Sequence, residues 1–283
     1  MRIRSLLYVP VSSERFLAKA HERGADALIL DLEDAVAPAR KDSARERLGG
    51  AVAMTRRGGA LIFVRINSER DRIRFDAEAA CRAGADGLLV SKARDAGAIA
   101  ALADFLGAIE QTIGRTAILL VPMIEDAAAV LDARTIAGAS PRVFGLMTGG
   151  EDLATALDAE PTPDVLRFPK LLVHLAAKAA GVRSFGLLRT VADYNDLEGI
   201  EKSAYEARRF GFDGASCVHP AVVPILNRAF SPTVAELDHA RALVAASDAA
   251  QAAGLGAFAF EGRMVDEPVV RRARALIERA CDQ

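Results

Sequence analysis

Apolar residues along this chain fall into two alternating textures. Short runs rich in β-formers occur at 6–9, 27–30, 61–66, 87–90, 117–122, 143–147, 184–188 and 214–218. Between them lie longer Ala-, Arg- and Glu-rich stretches with helical spacing. Most of the eight runs are apolar almost throughout rather than at every second residue. Parallel strands covered by helices on their outer face read that way. A small phrase recurs before the strands: Arg23-Gly24-Ala25-Asp26, Ala83-Gly84-Ala85-Asp86, Ala180-Gly181-Val182 and Phe210-Gly211-Phe212-Asp213. A glycine just past a helix takes the left-handed conformation that ends it and turns the chain into the next strand. Gly24 and Gly84 lie 60 residues apart, and Gly181 and Gly211 lie 30 apart. One βα unit takes about 30 residues. Eight units predict an α/β protein, a (β/α)8 TIM barrel over residues 1–230. An open dinucleotide-binding sheet is the competing arrangement, and no Gly-x-Gly-x-x-Gly follows the first run to support it.

Beyond the eighth unit, 235–253 reads as a helix and 257–260 as a short apolar run. Glu261-Gly262-Arg263-Met264-Val265-Asp266 follows, then a last helix from Pro268. Residues 231–283 are thus predicted to form a C-terminal helical extension, either an extra packing element or a lid.

Composition narrows the picture. A chain of 283 residues that is 51% hydrophobic and 26% charged has enough apolar mass for one large core. A net charge of −2 gives no electrostatic case for nucleic acid or an anionic membrane. The apolar run after Arg2 and Arg4 is too short for a secretory signal, and no stretch is expected to reach transmembrane length. Cys81, Cys217 and Cys281 lack metal-binding spacing, which predicts reduced thiols, no disulfide and a cytoplasmic location.

Active sites of such barrels lie at the C-terminal strand ends. Those ends carry Asp31-Leu32-Glu33-Asp34, Arg65-Ile66-Asn67, Ser91-Lys92, Glu125, Glu151-Asp152 and His219-Pro220, and the seventh has no charge until Arg189. If the fifth and sixth strands are neighbours, Glu125 and the Glu151-Asp152 pair reach one rim and offer oxygen donors to Mg²⁺. Glu33 and Asp34 are expected to cap the turn near Pro38 or to support the ligands from behind. Arg65 suits a substrate anion or an ion pair with Glu33. Lys92 is a site cation or a solvated loop lysine, Glu151 a helix N-terminal acid, and His219 a structural hydrogen-bonder. Residue types alone give a metal-assisted barrel enzyme acting on a small carboxylate.

Taken in order, Arg4-Ser5-Leu6-Leu7-Tyr8-Val9-Pro10, Asp31-Leu32-Glu33-Asp34-Ala35-Val36-Ala37-Pro38, Val64-Arg65-Ile66-Asn67, Ile124-Glu125, Gly150-Glu151-Asp152-Leu153, Gly211-Phe212-Asp213-Gly214 and His219-Pro220 form a pattern. It resembles the citrate lyase β-subunit-like branch of the HpcH/HpaI aldolase superfamily, which includes malyl-CoA and citramalyl-CoA lyases. The resemblance implies a (β/α)8 barrel and Mg²⁺-dependent Claisen chemistry. A 3-hydroxyacyl-CoA would be split into an acyl-CoA and a 2-oxo acid such as glyoxylate or pyruvate, in a homotrimer or hexamer. It implies Glu125 and Asp152 as metal ligands, with Glu125 also touching substrate. Arg65 would bind substrate and steady the oxygens that gain charge. Lys19 would lie near the CoA phosphates. Gly262-Arg263-Met264-Val265-Asp266 is similar to the family's C-terminal motif, which makes Asp266 the acid/base of a neighbouring subunit's site.

The chain also departs from the family. The usual Pro-Gly-x-Arg-Pro is Pro10-Val11-Ser12-Ser13-Glu14-Arg15, so Ser13 replaces an arginine and Arg15 is the substitute for CoA. Ser91 replaces a proline before Lys92, and Gly186-Leu187 replaces Asp-Gly. These changes keep two alternatives open: a CoA-independent aldolase releasing pyruvate or oxaloacetate, and a citrate lyase β-like subunit working with an acyl-carrier thioester.

Overall fold

The computed structural model describes residues 2–281, and the Cys281 side chain lies outside the described residues. Eight parallel strands form one sheet: β1 (Ser5–Pro10), β2 (Ala27–Asp31), β3 (Leu61–Ile66), β4 (Gly87–Val90), β5 (Leu119–Ile124), β6 (Gly145–Thr148), β7 (Arg183–Phe185) and β8 (Ala215–Cys217). They run in the order β7-β6-β5-β4-β3-β2-β1-β8. The ring closes where Phe185 bridges Gly214 in parallel and Gly186 N–H donates to the Gly214 carbonyl at 2.9 Å. This is the predicted (β/α)8 barrel. All four phrase glycines, Gly24, Gly84, Gly181 and Gly211, have positive φ. The seventh strand is shorter than predicted, because Gly186 at φ +154° takes the chain out of the β region.

Alternate residues of each strand point into the barrel. Leu6, Ile29, Phe63, Leu89, Met123, Met147 and Phe185 fill its core, with Tyr8 packed against them. The next inward positions along β2 and β3 are Asp31 and Arg65, and the register pairs them directly. The apolar filling therefore gives way to charge over one step of the pleat.

The helix Ala96–Ile113 is long and apolar enough to cross a membrane by length and composition, which corrects the expectation that no stretch would be. Its Ile99, Leu102, Leu106 and Ile109 recur at helical spacing and are buried. Glu110 on the same helix is buried too, held by two hydrogen bonds from Arg142 at 2.8 and 2.6 Å.

The chain divides into two compact units, Ile3–Arg228 and the stretch from Ala229 onward, which Arg2 joins. In the second, a Thr233–Glu236 capping box starts the helix Val234–Ala252. β9 (Phe258–Phe260) and β10 (Arg263–Val265) pair antiparallel. Glu261 and Gly262, at φ +50° and +74°, make the two-residue turn between them. The helix Glu267–Cys281 completes this unit around Leu243, Val265 and Val270. The hairpin partner β10 was not expected, because Arg263-Met264-Val265 is too short and mixed to read as a strand.

Candidate active site

A cavity of about 430 Å³ opens at the C-terminal ends of the strands. Tyr8, Met123 and Met147 of the layer below line it, as do Asp31, Arg65 and Glu125 of the layer above. Asp152 lies in the first turn of the helix Gly150–Ala156 and lines the same cavity. Glu125 and Asp152, expected at one rim, both line this cavity.

Glu125 is buried, and burial raises its pKa to about 8, with the Lys92 backbone N–H opposing the shift. That N–H donates to Glu125 Oε2 at 2.5 Å. Lys92 presents it from a left-handed backbone, φ +50°, which is costly for a non-glycine residue and common at functional sites. The Lys92 ammonium lies 3.7 Å from Glu33 Oε1 and 3.9 Å from Asp152 Oδ1. Lys92 therefore holds Glu125 through its backbone and places its ammonium at long range from Asp152. Gly149 completes the seat. A Cβ there would stand 2.2 Å from Glu125 Oε1, so only glycine leaves room for that oxygen.

Arg65 is more heavily committed than the sequence suggested. Nε and Nη2 donate to the two oxygens of Asp31 at 2.8 and 2.6 Å. Nη1 reaches Asp34 at 2.9 Å and Glu33 at 3.1 Å. The guanidinium also lies over the Tyr8 ring, 5.0 Å from its centroid. Burial opposes its charge, but the hydrogen bonds and charges of Asp31, with Glu33, outweigh it and drive its pKa well up. A guanidinium has five N–H bonds, so about one remains for a ligand. Glu33 is held above the usual carboxylate range by burial, against the pull of Arg65. Glu33 and Asp34 cap no helix: the short turn Pro38–Arg40 has no side-chain cap, and both acids serve Arg65 instead.

Asp31, absent from the expected site, is the central partner of Arg65. It also accepts from the backbone N–H groups of Glu33 and Ala35, at 2.9 and 3.2 Å, and so shapes the loop after β2. Period two would have found it, since Ala27, Ile29 and Asp31 share the inward face. Lys170 was also missed. It is buried, lines the cavity, and donates to the carbonyls of Leu187 and Arg189 at 3.0 and 2.6 Å. Burial lowers its pKa to about 8. It ties down the segment whose Thr190, Val191 and Ala192 form one wall of the cavity. The Thr190 hydroxyl in turn donates to Glu151.

Other expected residues stand apart. Arg15 and Lys19 are exposed on the helix Glu14–Ala20 and do not line the cavity. Ser13 precedes that helix without a side-chain cap bond. His219 Nδ1 accepts from Ala221 N–H at 3.2 Å, and the ring stacks on Tyr194. Asp266 belongs to the C-terminal unit, where its carbonyl accepts from Val269 and Val270 at the start of the last helix. Cys81 and Cys217 are buried free thiols.

A closed parallel barrel with buried acids and cations converging on one mouth is the layout of a (β/α)8 enzyme. The model of the HpcH/HpaI aldolase/citrate lyase family matches residues 4–220, and the chain belongs to that family, one of lyases. It is 34% identical over 282 residues to the citrate lyase subunit beta of Escherichia coli strain K12, covering 98% of this chain and 93% of that one. It is 36% identical over 288 residues to a (3S)-malyl-CoA thioesterase of Cereibacter sphaeroides, covering 98% and 94%. Among solved structures, the CitE protein of Mycobacterium tuberculosis in complex with magnesium, acetoacetate and coenzyme A is similar. It superposes with a TM-score of 0.79 at 32% identity, over 98% of this chain and 97% of that chain.

Proposed function

We propose that this protein is a Mg²⁺-dependent carbon–carbon lyase that cleaves a 3-hydroxyacyl-CoA of the malyl-CoA or citramalyl-CoA type to an acyl-CoA and a 2-oxo acid. The observation that carries this reading is the pairing of Glu125 and Asp152 at one cavity mouth beside Arg65. The donor set suits the ion. Glu125 keeps Oε1 clear of the Lys92 bond, and Asp152 has only a long contact to Lys92. Among the described residues no group of three His, Cys, Asp or Glu forms a closed cage. Mg²⁺ is commonly held by one or two carboxylates, with substrate and water supplying the rest. When bound, it supplies a fixed double positive charge against which a 2-hydroxy acid's carboxylate and oxygen are held.

The chain's own groups do the rest. Lys92 spaces and partly neutralises the two acids before the ion arrives. Asp31, Glu33 and Asp34 fix the plane of Arg65, and in this reading its remaining N–H is the donor to the oxygen that gains charge. The hydroxyl proton passes to water as that oxygen becomes the carbonyl of the 2-oxo acid, the C–C bond breaks with its electron pair going to the thioester enolate, and a proton added at the enolate carbon completes the acyl-CoA. The family resemblance assigns that proton to Asp266, supplied by a second copy in a homotrimer or hexamer. Arg15 and Lys19 are the cations offered to CoA, and the cytoplasm is the expected compartment.

Incubating the protein with malyl-CoA and citramalyl-CoA, with and without Mg²⁺, tests this. The expected products are glyoxylate or pyruvate together with acetyl-CoA, lost on chelation. The Cereibacter sphaeroides relatives favour one second reading, thioester hydrolysis. That reaction releases free CoA thiol and leaves the hydroxy acid whole, so thiol without oxo acid overturns the lyase assignment. Cleavage of free citramalate or of an acyl-carrier thioester alone would overturn the CoA-ester assignment.

A further inference from the structure

Tyr8 has no assigned role in the reading above. Its ring is the platform under Arg65, but its hydroxyl does something separate. Among the described residues, that hydroxyl meets only two sulfurs, Met123 Sδ at 4.0 Å and Met147 Sδ at 3.8 Å. Thioether sulfur is a weak acceptor, so the donor is left almost unsatisfied. Tyr8 is half-buried, so this donor is open to an oxygen of whatever binds beside it. Tyr8 lines the cavity. Met123 lies two residues before Glu125, so the hydroxyl sits one layer beneath the expected metal ligand. Burial also pushes the phenol's pKa up, with Asp31, Glu125 and Glu33 adding to it and Arg65 opposing, so the hydroxyl stays protonated and can only donate or accept weakly.

We propose that Tyr8 is a substrate-binding residue whose hydroxyl donates a hydrogen bond, from the floor of the cavity, to an oxygen of the 2-oxo acid half held at Glu125 and Asp152. This rests on the lyase reading, because that reading puts an anionic oxygen there. Phenylalanine at this position keeps the ring under Arg65 and removes only the hydroxyl, so Tyr8→Phe separates the two roles.

Pyruvate binding in the presence of Mg²⁺, measured by calorimetry on wild type and Tyr8→Phe, is the test. A hydrogen bond to a charged acceptor corresponds to roughly ten- to a hundredfold in affinity. Tyr8→Phe should weaken pyruvate binding by that factor and leave Mg²⁺ binding without pyruvate unchanged. Because the hydroxyl is half-buried and meets only sulfur among the described residues, the Tm of the metal-free protein should stay within about 2 °C of wild type. Equal pyruvate affinity in the two proteins overturns the assignment to Tyr8 alone. So does a Tm drop of several degrees together with lost Mg²⁺ binding, which would make the hydroxyl structural. If wild type binds neither pyruvate nor glyoxylate with Mg²⁺, the lyase reading falls and this inference with it.

Discussion

Gly149→Ala tests the site through a single methyl group. Gly149 has φ −78° and ψ +104°, which alanine adopts freely, so the backbone itself does not object. The obstacle is Glu125. The new Cβ would lie 2.2 Å from its Oε1, 2.7 Å from its Cγ and 2.8 Å from its Cδ, whereas real Cβ contacts essentially never fall below 3.0 Å. The carboxylate must therefore retreat by about 1 Å, and it is not free to do so. It is 5% exposed, and its other oxygen is held by Lys92 N–H at 2.5 Å. Retreat displaces Oε1 and strains the bond that holds the other oxygen. A misplacement of about 1 Å costs on the order of 100-fold in rate. Overpacking adds about 1–3 kcal/mol of destabilisation. Calorimetric Mg²⁺ titration, steady-state cleavage of malyl-CoA and a thermal melt should together show a folded protein, a Tm lower by a few degrees, and Mg²⁺ affinity and kcat/KM both severely reduced. Unchanged Mg²⁺ affinity in a folded Gly149→Ala protein would refute the claim that Glu125 binds the ion from the position seen here.

Two more outcomes follow from the charges beneath the rim. Asp31→Asn removes the two-pronged partner of a buried arginine; Glu33 and Asp34 still offset part of the charge, so the loss in a urea denaturation should be about 2–4 kcal/mol, with kcat falling as Arg65 loses its orientation. Lys170, lowered to about 8 by burial, binds its proton less readily in the folded than in the unfolded chain. Between about pH 8 and the ordinary lysine value of 10.5 the unfolded chain holds the extra proton, so this group's contribution to stability grows with pH across that window and is lost as pH falls through 8. The contribution is about 3 kcal/mol at most, read as the difference in pH slope between wild type and Lys170→Met.

The barrel was legible because its evidence is local. Each strand is a run of β-formers, and four of them follow a glycine, Gly24, Gly84, Gly181 or Gly211, that the structure puts at positive φ. Glu125 and Asp152 were legible at the rim because each closely follows an apolar strand, where a carboxylate does not fill the core. Asp31 went unseen as a site residue because its partner, Arg65, is 34 residues away in sequence and meets it only through the register of β2 against β3. Lys170 was harder still. It sits inside a helix among ordinary helical residues, and only the fold reveals that its ammonium reaches the carbonyls after β7.

The same register explains why the site is built of so many opposed charges. Across β1, β2 and β3, Tyr8 pairs with Ile29 and Ile29 with Phe63, all packed in the barrel interior. One step up the pleat, Pro10 pairs with Asp31 and Asp31 with Arg65. An arginine buried at such a boundary needs acids around it, and Asp31, Glu33 and Asp34 supply them. Glu125 then stands near further negative charge, from Glu33 and Asp152, that adds to the effect of burial in raising its pKa. Arg65 and Lys92, the latter on a strained backbone, offset only part of that charge. A dication between Glu125 and Asp152 would relieve the remainder. If Glu125 and Asp152 hold Mg²⁺, its binding should raise the Tm of the folded protein in a thermal melt, by an amount that grows with Mg²⁺ concentration.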